Sequence, residues 1–194
     1  EEVVISLLET KQPLEISAIA AQCSLSQEDA AAAVESLIQD GRAVALGEGE
    51  HRLFLTSSGW QGVVNKAAAA LADYHQKFPA RAGMPKVELA TRLKLGSYIN
   101  LALENLIRQG VLMEEAGHIR LPGHSVQVSP AQQVKIDAFL KSLSAAPYSP
   151  SADLIPEPDI VNLLVAQGKV VKVSDGIIFS AKAYRDMVDK ITAQ

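Results

Sequence analysis

Cysteine is nearly absent. Cys23 has no partner for an internal disulfide, and one thiol cannot build a four-cysteine zinc site. Aromatic residues make up 5% of the 194 positions, with a single tryptophan, Trp60, so the cores must be built from Leu, Val, Ile and Ala. There is no run of 18 apolar residues and no signal-peptide pattern, which predicts a soluble, cytoplasmic chain without a membrane partner; a monomer is expected. Positive charge is also short. The net charge of −4 argues against a broadly basic nucleic-acid binder. His51, His75, His118 and His124 are scattered, without the i,i+4 spacing of a metal-binding helix.

What the sequence does have is one stretch in three copies. VESLIQDGRAVAL at 34–46, LENLIRQGVLM at 103–113 and VNLLVAQGKVVKV at 161–173 align on Gly41, Gly110 and Gly168. Apolar pairs stand three and four residues before each glycine, and again seven and eight before it. That spacing puts one apolar face on a helix. The glycine then ends the helix in the left-handed conformation that a residue without a β-carbon adopts easily. A β-rich run, a turn and a returning strand follow each copy, with return strands at His51–Leu55, His118–Leu121 and Ile177–Phe179. Helix, glycine, hairpin is the back half of a winged helix-turn-helix. The predicted fold is mainly α with small β-wings, a tandem array of three winged-helix domains at 1–63, 64–124 and 125–194.

Within this frame the elements can be placed. The first domain should hold helices Glu2–Glu9 and Leu14–Gln22 and a third capped at Ser24 or Ser26. Residues 57–63 read as a lead-out from the first wing, with Trp60 packing between domains. The second domain should begin with a helix at Asn65–Phe78, broken by Pro79. Pro85 falls in the first turn of the next helix. Ser97 is the expected cap of a third at Tyr98–Gln109. In the last domain Ser129-Pro130 opens a helix to Leu143, a short helix lies near Ser151–Ile155, another spans Asp159–Gln167, and a trailing connector helix runs over Lys182–Ala193. Charge differs between the three. The first has three Lys/Arg against ten Asp/Glu, the second eight against five, the third seven against seven. The acidic first domain should repel phosphates, and the basic second can approach them.

KFPARAGMPKVELATRL at 77–93, LPGH at 121–124 and VSPAQ at 128–132 resemble the C-terminal winged-helix region of the bacterial selenocysteine-specific elongation factor, SelB. Pro79, Arg81, Gly83, Met84, Pro85, Glu88, Leu89, Arg92 and Leu93 match the pattern of that family's second winged helix, and Phe78 replaces its leading histidine. The resemblance implies an N-terminal GTPase that uses GTP and Mg and carries selenocysteyl-tRNA. It also implies a fourth winged helix that grips the mRNA hairpin recoding UGA. Neither the G-x-x-x-x-G-K-[ST] loop nor the basic fourth repeat is in this sequence, so it reads as a fragment holding three of four winged helices. The implied function is a non-catalytic arm, without a cofactor of its own. It spaces the GTPase and tRNA-binding part from the mRNA-binding module and meets the mRNA hairpin and the ribosome through the parent protein.

No constellation for an enzyme emerges. Cys23 sits in acidic surroundings that disfavour a thiolate and reads as a small core residue. Glu48/Glu50 and Glu114/Glu115 read as solvated hairpin tips. The candidate nucleic-acid backbone contacts are Arg81, Lys86, Arg92 and Lys94, with Arg108; the bland alternative is ordinary helix-surface charge, with Arg81 capping carbonyls or pairing with Glu88. Lys169 and Lys172 would flank an RNA held by a neighbouring domain. Two other functions fit a winged-helix array. A DNA-binding regulator needs a basic recognition helix, and an adaptor needs an exposed apolar face.

Overall fold

The computed structural model describes residues 1–174 and 176–192. Asp175 in the third turn and Ala193 at the end of the expected trailing helix lie outside the described residues, as does the Glu50 side chain in the first wing. The described chain is mainly α with small antiparallel sheets, as expected.

It opens with α1 (Glu2–Lys11), α2 (Ile16–Cys23) and α3 (Gln27–Gln39). Val4 and Leu8 of α1 and Ala30, Val34 and Leu37 of α3 fall at helical spacing and are buried together with Ile19 and Phe54. Of the two serines considered, Ser26 is the cap of α3. Its Oγ accepts from the Asp29 backbone N–H at 3.0 Å, while Ser24 turns left-handed to end α2. Leu14 is not in the second helix. It pairs with Phe54 through two backbone hydrogen bonds, Leu14 N–H to Phe54 O at 3.1 Å and Phe54 N–H to Leu14 O at 2.8 Å. The cross-strand pairing outcompetes one more turn of helix after Pro13.

The first wing is β1 (Ala43–Leu46) paired with β2 (Leu53–Thr56). His51 lies in a 3-10 turn before β2, whereas His118 opens β5 (His118–Arg120), so the two histidines are not equivalent. The first wing passes straight into α4 (Ser57–Lys77), a single helix where a lead-out and a separate helix were expected. Thr56 explains the early start. Its Oγ1 accepts from the Gly59 backbone N–H at 3.0 Å, which is the N-cap pattern, and Gln12 accepts from both the N–H and the hydroxyl of Thr56.

Then come β3 (Met84–Pro85), α5 (Lys86–Leu93), α6 (Ile99–Arg108) and β4 (Met113–Glu115) ahead of β5, with sheet order β3-β5-β4. Pro85 is the residue just before α5, and Ser97 lies in a 3-10 turn over Gly96–Tyr98 without capping α6. The remainder is α7 (Pro130–Ala145), a 3-10 turn at Ala152–Leu154, α8 (Pro158–Ala166), the hairpin β6 (Val170–Ser174) and β7 (Ile177–Ser180), and α9 (Ala181–Thr192). Ser129 and Gln132 form a reciprocal capping box on α7, with bonds of 3.2 and 3.0 Å. Gly41, Gly110 and Gly168 all have φ between +68° and +71°, the helix-ending role their alignment predicts.

The chain divides into two compact units. One is Glu1–Tyr74 with Gly83–Gly123, the other His75–Ala82 with His124–Gln194. In the second, Ala80 packs with Ile136, Phe139, Leu143, Ile160 and Leu164 in one core.

Candidate nucleic-acid interface

The five cations singled out from the sequence fall in both units. Arg81 belongs to the second; Lys86, Arg92, Lys94 and Arg108 belong to the first. Four of the five have carboxylate partners. Arg81 Nε is 3.0 Å from Asp159 Oδ1 in the first turn of α8, and its guanidinium lies 4.0 Å from the Phe78 ring centroid. Its partner is thus Asp159, not Glu88. Lys86 Nζ is 3.0 Å from Glu114 Oε2. Arg92 bonds Glu88 at 2.6 Å and lies 3.7 Å from Asp73. Arg108 lies 3.7 Å from Glu48 and donates to Asn105 Oδ1 at 3.1 Å. Lys94, exposed in the left-handed residue after α5, has no ion pair among the described residues. A phosphate approaching these cations competes with carboxylates for all but Lys94.

Within the first unit, α3 and α6 each stand before a hairpin in the place of the helix that a helix-turn-helix would send into a groove, and α6 is the one in the cation-bearing segment. Here it meets the first wing. A β-carbon on Gly47, whose φ is +83°, would come within 3.3 Å of Leu101 Cδ2. Trp60 Nε1 donates to Gln109 Oε1 at 3.1 Å just past the other end of α6. Leu101, Glu104, Asn105 and Arg108 follow one face at helical spacing, and with Gly47 and Glu48 they line a cleft of about 380 Å³. Just ahead of α6, burial pushes the Tyr98 phenol above its ordinary value.

Trp60 is 5% exposed, so it is a packing residue with its indole N–H satisfied. Cys23 packs partly against the first core. His75 and His124 are not scattered surface residues. Their rings stack at 3.6 Å, 5° from parallel, and His124 Nε2 is 2.8 Å from the Arg81 carbonyl oxygen. Thus His124, the last residue of LPGH, meets Arg81 of PARAG within the second unit. Lys169 is exposed ahead of β6, and Lys172 lies within that strand. Among the described residues, no group of three or more His, Cys, Asp or Glu side chains is placed to hold a metal ion. No described helix is long and apolar enough to cross a membrane.

Sequence reasoning missed Asn105. A buried amide in the apolar register of Ala102 and Leu106 was the available signal.

Comparison with known proteins bears on what this geometry is for. The chain is similar to the selenocysteine-specific elongation factor of Desulfomicrobium baculatum, with 22% identity over an alignment of 161 residues that covers 73% of this chain and 24% of that protein. The chain therefore spans about a quarter of the length of that relative. The family model described as elongation factor SelB, winged helix, matches residues 68–121, from within α4 to the residue after β5. Those residues form a winged helix of the elongation factor SelB family.

Proposed function

We propose that this chain is a non-catalytic arm of a selenocysteine-specific elongation factor, made of three winged helices at 1–63, 64–124 and 125–194. It spaces a GTPase and tRNA-binding part from an mRNA-hairpin-binding module. In this reading GTP, Mg and selenocysteyl-tRNA are handled by other parts of the parent protein. The mRNA hairpin and the ribosome are partners of the whole, in the cytoplasm.

The observation that carries the reading is the position of α6. On this helix, which would read a groove, Leu101 lies close to Gly47 and Arg108 faces Glu48 of the first wing at 3.7 Å. The wing stands beside part of that face, at Gly47 and Glu48, which leaves less room for a duplex there and disfavours a groove-reading DNA regulator. The acidic charge of residues 1–63 fits a segment that stays off phosphates. Contacts to an RNA backbone, where the arm makes them, fall to Lys94 with Lys86, Arg92 and Arg108 in one unit and Arg81 in the other.

The test is binding of the 194-residue chain to a labelled UGA-recoding hairpin and to a scrambled one, over a salt series. The expected result is weak binding, equal for both hairpins and steeply salt-dependent, with a shallower salt slope for Lys94→Ala. Tight, hairpin-specific binding would overturn the spacer reading.

A further inference from the structure

The third hairpin and the helix after it repeat the first hairpin and α4 bond for bond. Ser57 N–H donates to Arg42 O at 2.8 Å, and Ala181 N–H donates to Lys169 O at 3.2 Å. Arg42 and Lys169 each follow a helix-ending glycine, Gly41 and Gly168. Thr56 Oγ1 accepts from the Gly59 N–H at 3.0 Å, and Ser180 Oγ accepts from the Ala183 N–H at 3.4 Å. Both helices leave their strands without a loop. The expected trailing connector, α9, therefore starts as α4 does, and α4 leads into the winged helix matched at 68–121.

The inner positions of the two wings agree in burial. Ala43 and Phe54 lie in the first core, and Val170 and Ile178 lie in the core of the second unit. The outer positions disagree. In the first wing Val44 pairs with Leu55, and Leu46, five residues after Gly41, is 0% exposed. Leu46 and Leu55 alternate away from the first core and are buried, with α6 beside β1 and Leu101 beside Gly47. In the third wing Val171 pairs with Phe179, but Val173, five residues after Gly168, is 53% exposed, and Ile177 is exposed too. The helices show the same contrast. Trp60, Val63 and Ala67, three, six and ten residues into α4, are buried. Tyr184 and Met187 hold the first two places in α9 and are half-buried, while Ile191 in the third is 66% exposed. The rings of Phe179 and Tyr184, 6.4 Å apart, link the wing to the helix.

In a row of repeats each unit buries its apolar face on a neighbour, and a capping unit carries polar residues there. Val173, Ile177, Val188 and Ile191 are apolar and exposed on adjoining elements, a face built for protein and not for phosphates. We propose that the outer face of β6–β7 and the Tyr184–Ile191 face of α9 together seat a further winged helix of the same polypeptide, with α9 as its first helix. The chain itself argues for this occupant, since the matching face of the first repeat is covered by the segment that α4 leads into. The third helix of the incoming unit lies beside Val173 and Phe179 as α6 lies beside β1, and its core closes on Tyr184, Met187 and Ile191. The joint after the third wing is then a packed one and not a tether. This rests on the three-repeat reading above and adds what sets the direction of the module beyond it.

Amide hydrogen exchange of the 194-residue chain and of the intact parent protein, read by mass spectrometry, tests the seat. Peptides covering 177–180 and 184–191 should exchange at least about a hundred-fold more slowly in the parent protein. Ile191→Asp should leave the thermal midpoint of the 194-residue chain within about 2 °C, because the side chain is exposed there. In the parent protein the same change should remove most of the added protection, and Val173→Asp should do likewise. Equal exchange in the two proteins would overturn the proposal, and so would protection that both variants keep. Concentration-dependent protection of these peptides in the 194-residue chain, with a dimer in sedimentation, would overturn it by placing a second copy on the seat. No RNA enters these measurements, so failure here is separable from failure of the spacer reading, which the hairpin series decides.

Discussion

The indole N–H of Trp60 reaches across from the first turn of α4 to the side chain of Gln109, 3.1 Å away, at the residue that closes α6. This bond places the sole tryptophan inside the first unit as a strut for α6. Trp60→Phe, which keeps most of the ring and loses the donor, should lower unfolding free energy by about 1 kcal/mol. Trp60→Ala should lower it by about 3–5 kcal/mol. Urea unfolding followed by far-UV circular dichroism checks both, since the fluorophore is the residue removed.

Gly47 gives a second test of the wing on α6. With φ at +83° and Leu101 Cδ2 within 3.3 Å of the site of a β-carbon, Gly47→Ala meets both backbone strain and a tight neighbour. The strain alone should cost roughly 1 kcal/mol. Adding Leu101→Ala should bring non-additivity, because the second change removes the neighbour that the new methyl meets. Strict additivity in thermal unfolding would show that the wing does not rest there.

Arg81 is expected to matter more for stability than for RNA affinity. Its guanidinium is held between Asp159 and the Phe78 ring. A double-mutant cycle of Arg81→Ala and Asp159→Ala should return a coupling of up to about 1 kcal/mol, since both groups are partly exposed. Arg81→Lys should recover only part of the loss, because an ammonium lacks the planar face that stacks on Phe78. A loss of hairpin affinity without a loss of stability would contradict this assignment.

The hydrogen bond from Lys135 holds the Glu157 carboxyl below its ordinary value of 4.5, helped by a backbone hydrogen bond. A carboxyl depressed by folding adds stability that is present above its unfolded pKa and fades as pH falls through the folded value. Lys135→Ala should thus lose part of the acid-range pH dependence below about 4.5 and leave the profile near neutrality flat in this respect. The carboxyl is solvent-exposed, so the effect should be small and should shrink with added salt. Carbon-detected titration of the Glu157 side chain reads the direction directly.

Much of the fold was legible because its signals are local. Gly41, Gly110 and Gly168 mark helix ends by a backbone conformation that few other residues adopt, and the apolar spacing before them is short-range. The Ser129 capping box is likewise written within four residues. What escaped the sequence depends on partners far along the chain. Leu14 leaves its expected helix for Phe54, and Thr56 starts α4 early with the help of Gln12. The candidate site was the least legible part. Composition around 81–94 shows clustered cations, but it does not show that Asp159, Glu114, Glu88 and Asp73 stand beside them. The stacked histidines, 49 positions apart in sequence, follow no local rule at all.

The contact of Leu101 and Arg108 on α6 with the first wing also constrains how such an arm can change over time. In a groove-reading helix, surface substitutions alter the choice of sequence and leave the fold alone, so new targets are a few mutations away. Here the corresponding positions answer first to Gly47, Glu48 and Trp60. Variation at Leu101 or Gln109 therefore changes the fit to Gly47 and Trp60 as well as any nucleic-acid contact, so a foreign recognition helix grafted onto α6 would need matching changes in the wing and in α4.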